Sequence, residues 1–285
     1  MQDTEKSWFT ETCTECGTAL SFEIDEILHQ EQTPFQKIEI YSTKSFGKLM
    51  AIDGFVMLTE RDNFIYHEML AHPVLFSHPN PGHVLIAGGG DCGTLREVAK
   101  HICVQKIIQV EIDERVTRLS ERFFPELCEA IQDPRVELIF EDAVEWVQKL
   151  KQGSVDVIIV DSTDPVGPAR GLFSTPFYRD CLLALKPEGL LVQQSESPLV
   201  HFESIIRPMH ASMRKAGFAA TELIHYPQPC YPTGWWSATI ANKAGRLACA
   251  RQESAKHPGF RTRYYNHAIH HSSLSAPQFI RDREQ

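Results

Sequence analysis

The sequence predicts an α/β fold, a doubly wound and mostly parallel sheet with a small antiparallel β domain at its N-terminal side. Three observations carry this prediction. Beyond Gly82, runs of buried-strand character alternate with helix-length segments, the pattern that builds parallel sheets through crossover helices. Between Ala19 and Glu60, short stretches rich in Ile, Phe, Leu and Val are instead punctuated by turn pairs such as Phe46-Gly47 and Asp53-Gly54, which is how antiparallel hairpins read. Each of four strand runs is then followed by an acidic residue in the loop after it, at the edge where open sheets of this class receive ligands.

The elements follow in chain order. Residues 1–61 form the expected N-terminal β-strand domain, and residues 62–285 the larger domain with a C-terminal extension. From Asp62 to Leu75, Phe64, Ile65, Met69, Leu70 and Val74 recur at helical spacing, and Pro79 and Pro81 close that segment. His83-Val84-Leu85-Ile86-Ala87, Ile107-Ile108-Gln109-Val110, Val136-Glu137-Leu138-Ile139-Phe140 and Val155-Asp156-Val157-Ile158-Ile159-Val160 are the four strands. Their near-continuous apolar character suits a sheet covered on both faces. Further strands are expected at Leu190 to Gln193, Thr221 to His225 and Ser237 to Ala241, which completes a Rossmann-like sheet of methyltransferase-type size. The last forty or so residues are polar and Pro-interrupted, with Tyr264 and Tyr265 as anchors.

Composition narrows the function. With 285 residues, 42% of them apolar, the chain can bury a full core. Its 37 acidic against 28 basic residues give a formal charge of -9, unsuited to nucleic acid but suited to a cationic ligand. The N-terminus lacks the basic-then-apolar pattern of a secretory signal, and no apolar stretch is long enough to cross a bilayer. A cytoplasmic protein without a membrane partner is expected. The eight cysteines lack a disulfide framework. Cys13 and Cys16 form a C-x-x-C with no second pair and no neighbouring His, so they read as inert thiols and no metal site is expected.

The strand ends carry the chemistry. Gly88-Gly89-Gly90-Asp91 follows the first strand; the glycines let backbone approach a ligand, while Asp91 would repel the pyrophosphate of a dinucleotide. Glu111 ends the second strand about twenty residues later, the offset at which a carboxylate accepts both ribose hydroxyls of a nucleoside. Glu141 and Asp142 follow the third strand. An adenine amine is a natural donor to Asp142, with the Ala143 N–H available to a ring nitrogen. The fourth strand runs into Asp161-Ser162-Thr163-Asp164-Pro165-Val166-Gly167-Pro168, two carboxylates in a loop stiffened by prolines. With Asp91, this pair makes an anionic cavity for a substrate carrying ammonium groups, and one carboxylate can accept the proton an ammonium loses before it attacks.

The chain resembles the spermidine synthase family of polyamine aminopropyltransferases. The likeness rests on Gly47-Lys48-Leu49-Met50-Ala51-Ile52-Asp53-Gly54, Thr59-Glu60-Arg61-Asp62, Tyr66-His67-Glu68-Met69, Gly88 to Asp91, Leu95-Arg96-Glu97-Val98, Val110-Glu111-Ile112-Asp113, Asp161 to Pro168 and Tyr231-Pro232-Thr233-Gly234. The resemblance implies that Gln36, Glu111, Asp142, Ala143 and Pro168 line the pocket for decarboxylated S-adenosylmethionine or the product methylthioadenosine. It also implies that Tyr66, His67, Asp91, Asp161, Asp164 and Tyr231 contact the polyamine, with Asp161 as proton acceptor. As isolated residues, His67 would read as structural and Tyr231, Trp235 and Trp236 as core. Gln194 and Glu196 resemble a family segment near the polyamine. Cys92 stands where the family usually has glycine, and Arg170 and Gly171 depart from an acidic and a small residue before Leu172-Phe173.

The implied reaction is spermidine synthesis from putrescine and decarboxylated S-adenosylmethionine, a co-substrate, with no cofactor. The implied assembly is a homodimer or homotetramer through the N-terminal β region. The alternatives are an S-adenosylmethionine-dependent methyltransferase, opposed by Asp91 and the paired aspartates, and a non-catalytic polyamine-binding protein.

Overall fold

A computed structural model describes residues 6–165, 167–245 and 249–284, the side chains of Pro168 and Glu284 excepted. Strands β1 (Ser7–Cys13), β2 (Thr18–Gln32), β3 (Lys37–Thr43), β4 (Gly47–Ile52) and β5 (Phe55–Thr59) form one sheet in sequential order, every neighbour antiparallel. The Asp53-Gly54 turn has positive φ at both residues, 50° and 87°, the tight hairpin geometry for which an Asp-Gly pair is suited. β1 lies upstream of the β region read from the sequence. Its inward positions include Phe9 and Glu11, both buried, and a carboxylate pointing inward breaks the apolar alternation by which a strand is recognised.

The helix expected over 62–75 is α1 (Asn63–Ser77), buried on nearly every side. It packs against the second sheet. That sheet comprises β6 (His83–Gly88), β7 (Lys106–Glu111), β8 (Val136–Phe140), β9 (Val155–Asp161), β10 (Leu185–Gln194), β11 (Ala220–Pro227) and β12 (Trp235–Asn242), in the order β11-β12-β10-β9-β6-β7-β8. Strands β8 to β10 in that row are parallel, while β12 pairs antiparallel with both β10 and β11. Helices α2 (Gly93–Ala99), α3 (Glu114–Phe123), α4 (Ala143–Gln148), α5 (Thr175–Ala184) and α6 (Arg207–Ala216) connect the strands. The doubly wound, Rossmann-like fold read from the sequence is the fold observed.

Both faces of the sheet are covered. Val84, Ile86, Val157 and Ile159 join the core shared with α1, whereas Leu85, Ile158 and Val160 join the opposite core with Phe177, Tyr178 and Met213. The strands therefore read as unbroken apolar runs. Because β7 lies on one side of β6 and β9 on the other, the chain reverses direction of winding at β6, and a crevice opens beyond the carboxyl ends of β6 and β9.

The C-terminal segment carries α7 (Gln252–Lys256), α8 (His267–Ser273) and α9 (Gln278–Glu284). Tyr265 is buried and stacks on Phe76, while Tyr264 is only partly buried. The buried Glu68 carboxylate of α1 accepts from the backbone N–H groups of Arg263, Tyr264 and Tyr265, at 2.7, 2.9 and 2.7 Å.

Candidate active site

The loop from β6 to α2 is held against the end of β9. The Gly89 N–H donates to the Asp161 carbonyl at 2.7 Å, and a Cβ on Gly88 would collide with that same oxygen. Glycine is required there on contact grounds as well as for its φ of 86°. Asp91 then accepts from the Gly93 N–H at 2.6 Å. Cys92, at the position where the resemblance expects glycine, takes a left-handed φ of 67°, so the family residue answers a conformational demand that this chain meets with a buried thiol.

Asp161, at the end of β9, is almost fully buried. Tyr66 of α1 donates its hydroxyl to Oδ1 at 2.7 Å, and Thr94 of α2 donates to Oδ2 at 2.6 Å. A carboxylate offers about four acceptor sites, so two remain free. Burial raises the Asp161 pKa above the usual carboxylate range, the Asp91 charge raises it further, and His67 and the two hydroxyls oppose the rise.

His67 is buried beneath Asp91, with Nε2 3.3–3.4 Å from the carboxylate oxygens. It lines neither compartment of the cleft. Burial alone would lower the imidazole pKa, but the charge and hydrogen bond of Asp91 outweigh it and raise His67 above its ordinary value. Conversely, burial pushes Asp91 up, and His67 followed by the Gly93 N–H brings it below the ordinary value. The two act as an ion pair, which keeps Asp91 ionised beside Asp161.

Gln36, Glu111, Asp142, Ala143, Asp91, Asp161, Tyr66 and Tyr231 line one cleft. Glu111 ends β7 and accepts from the Asp113 N–H at 2.9 Å. Burial, partly offset by that bond, raises its pKa to about 7. Gln36 reaches over from the N-terminal sheet and donates to Asp113 at 3.1 Å. Asp142 caps α4 through the Val144 N–H at 2.7 Å, which leaves Ala143 at the helix start beside it. Pro168, read as part of this pocket, has its side chain outside the described residues.

Asp164 is not in this cleft. It lines an adjoining compartment with Glu11, Gln194 and Glu196, reached past Tyr66, Ser162, Thr163 and Tyr231, which line both. Tyr231 is fixed by donating its hydroxyl to the Met57 carbonyl at 2.5 Å, and its ring meets Tyr66 edge-on. Burial raises Glu196 well above the carboxylate range, and neighbouring Asp164 adds to this. Glu11 is raised to about 7, first by burial and against the Val56 N–H that it accepts. The acidic residues expected in one cavity thus occupy two joined compartments with Asp161 in the first, near their junction.

Sequence reasoning missed Glu11 and Thr94. Glu11 sits on β1, upstream of the β region read from the sequence, and Thr94 lies in the first turn of α2, where only the fold brings its hydroxyl to Asp161. Arg170 is exposed, whereas Gly171 packs against the Val144 side chain.

Two family profiles match the chain: "Spermine/spermidine synthase domain" over residues 63–252 and "Spermidine synthase tetramerisation domain" over residues 7–60. Among curated proteins, the chain is 60% identical over 277 residues to a polyamine aminopropyltransferase of Thioalkalivibrio sulfidiphilus, covering 97% of each. It is 58% identical to one of Methylococcus capsulatus, covering 97% of this chain and 96% of that protein. Among solved structures, a spermidine synthase in complex with the transition state analogue AdoDATO superposes with a TM-score of 0.91 at 34% identity, over 99% of this chain and 97% of the other. The spermidine synthase of Thermotoga maritima gives 0.90 at 33% identity, over 99% and 96%.

Proposed function

The chain belongs to the spermine/spermidine synthase family, and from that premise we propose that this polyamine aminopropyltransferase moves the aminopropyl group of decarboxylated S-adenosylmethionine to putrescine. The observation that carries this reading is the position of Asp161, in the cleft with nucleoside-suited groups and next in sequence to Ser162 and Thr163, which that cleft shares with a compartment crowded with carboxyls.

Glu111 accepts the ribose hydroxyls, Asp142 and the Ala143 N–H take the adenine edge, and Gln36 and Pro168 complete that pocket. Asp91, ionised by its pairing with His67, faces the ammonium of the aminopropyl arm and disfavours the carboxylate of ordinary S-adenosylmethionine. The diamine extends towards Asp164, with Glu196 and Glu11 at the far end, and Tyr66 and Tyr231 as the aromatic walls. His67 acts through Asp91 and does not touch the diamine itself.

An alkylammonium has a pKa of about 10.4 and must lose a proton before it can attack. Asp161 accepts that proton, and its raised proton affinity suits the task. The amine lone pair then forms a bond to the methylene beside the sulfonium. The carbon–sulfur bond breaks with its electron pair passing to sulfur, and neutral methylthioadenosine leaves. The electrophile arrives activated, so the protein supplies alignment and the base.

We place the division between the two domains at residues 61 and 62, and assign assembly into dimers or tetramers to the N-terminal sheet. The family description of residues 7–60 and the exposed Trp8 and Ile27 on β1 and β2 support this. No helix among the described residues is long and apolar enough to cross a membrane; the cytoplasm is the proposed location.

The test is incubation with decarboxylated or ordinary S-adenosylmethionine and a panel of putrescine, cadaverine, agmatine and spermidine, with products resolved by mass. Spermidine and methylthioadenosine, formed fastest with putrescine, are expected. S-adenosylhomocysteine would establish a methyltransferase, and tight amine binding without any product would establish a binding protein.

A further inference from the structure

The C-x-x-C of residues 13–16 has a third partner that no local reading could supply. Cys13 ends β1, Cys16 lies in the turn before β2, and His201 follows β10 by a short segment, 185 residues beyond Cys16. The fold brings His201 Nε2 to 3.8 Å from each sulfur, and the three ligand atoms all lie within 4.8 Å of one another. We propose that Cys13, Cys16 and His201 form a binding site for one zinc-class divalent cation, with a fourth position open to water.

Geometry supports a tetrahedral ion. Bonds of about 2.3 Å to sulfur and about 2.0–2.1 Å to nitrogen put S and N roughly 3.6 Å apart. The two sulfur–nitrogen separations need only a few tenths of an ångström of closure, which the turn can supply: it is closed by a Gly17 N–H to Thr14 carbonyl bond, and Gly17 has open space around it. The two cysteines are half-buried and His201 is buried, so an ion can enter from solvent and meet a ligand that is already fixed.

The imidazole is also oriented for the role. Its Nδ1 is buried without a hydrogen-bond partner, and the Glu196 carboxylate is 3.7 Å away. In metal sites a carboxylate on the far ring nitrogen fixes the tautomer that leaves the near nitrogen free to ligate, and slight closure here would create that bond. Two thiolates and an imidazole select zinc-class ions over magnesium or calcium, which prefer oxygen. Two thiolates balance the ion's charge, so the site adds no net charge to the neighbouring acidic compartment, of which Cys13 and His201 form part of the wall. Its effect is mechanical: it fastens the β1–β2 hairpin of the N-terminal sheet to the segment after β10.

This inference rests on geometry and is independent of the enzymatic reading. The test is titration of the reduced, metal-free full-length protein with cobalt(II), followed by zinc(II). The expected result is one cobalt per chain with thiolate-to-metal charge-transfer absorption and tetrahedral visible bands, erased by zinc. Cys16→Ser and His201→Gln, checked for folding by circular dichroism, should lose those bands. Zinc should raise the melting temperature of the parent protein by several degrees and leave Cys16→Ser unchanged. Absence of the bands, their persistence in both variants, or a Cys13–Cys16 disulfide in protein isolated under reducing conditions overturns the site. If His201→Gln fails to fold, Cys16→Ser, in a half-buried turn, decides.

Discussion

Asp161 has both oxygens engaged by hydroxyl donors and still keeps acceptor capacity towards the cleft. Replacing it by Asn keeps the shape but removes the base, so Asp161→Asn should lower kcat a hundredfold or more while circular dichroism and thermal melting stay near those of the parent. Near-normal turnover would remove Asp161 from the proton path. Glu111 offers a test in the other half. Its pKa, raised to about 7 by burial, leaves it largely neutral at pH 6 and ionised at pH 8, and only the ionised form accepts from both ribose hydroxyls. Methylthioadenosine affinity, measured calorimetrically, should therefore rise up to about tenfold from pH 6 to pH 8, and Glu111→Gln should bind weakly with no such rise. Asp91, Glu111, Asp142 and Asp161 were legible in the sequence because strand ends announce themselves. Glu11 and Thr94 were not, because their meaning depends on which remote residue they face. His67 was legible only as a polyamine contact, whereas burial places it under Asp91.

Helix α1 does more than present Tyr66. Its Glu68 gathers three backbone N–H groups of the C-terminal segment, that of Tyr265 buried and those of Arg263 and Tyr264 part-buried, and removing the acceptor leaves them unmet. Glu68→Ala should destabilise the protein by roughly 3 kcal/mol, read as a fall in the urea midpoint. The start of α2 is equally constrained, since a Cβ on Gly93 would land on the His67 ring. Gly93→Ala should displace His67 from Asp91 and cut turnover at least tenfold, with folding retained; unchanged activity would separate the ion pair from the reaction. Most elements were legible because unbroken apolar runs mark the buried strands, turn pairs mark the N-terminal hairpins and a spacing of about 3.6 residues marks α1. β1 was hidden by its inward Glu11, and the C-terminal helices by their short, polar stretches.

The seven-stranded order cannot be read from apolar runs, which tell that a strand is buried on both faces but not which strand adjoins it. That order sets the function, because it brings Gln36 from the first sheet, Tyr66 from α1 and Tyr231 from before β12 to one edge. The same assembly leaves Ile27 and Trp8 exposed on the N-terminal sheet. If that face joins subunits, Ile27→Asp should shift the mass measured by light scattering towards the monomer.

The central claim is that nucleoside and diamine occupy adjoining compartments, so that one nitrogen of the diamine attacks the carbon beside the sulfonium. Its most direct measurement uses fully carbon-deuterated putrescine with decarboxylated S-adenosylmethionine, following both products by mass. The account predicts spermidine carrying the full label and methylthioadenosine in equal amounts. Methylthioadenosine released without labelled spermidine would contradict it.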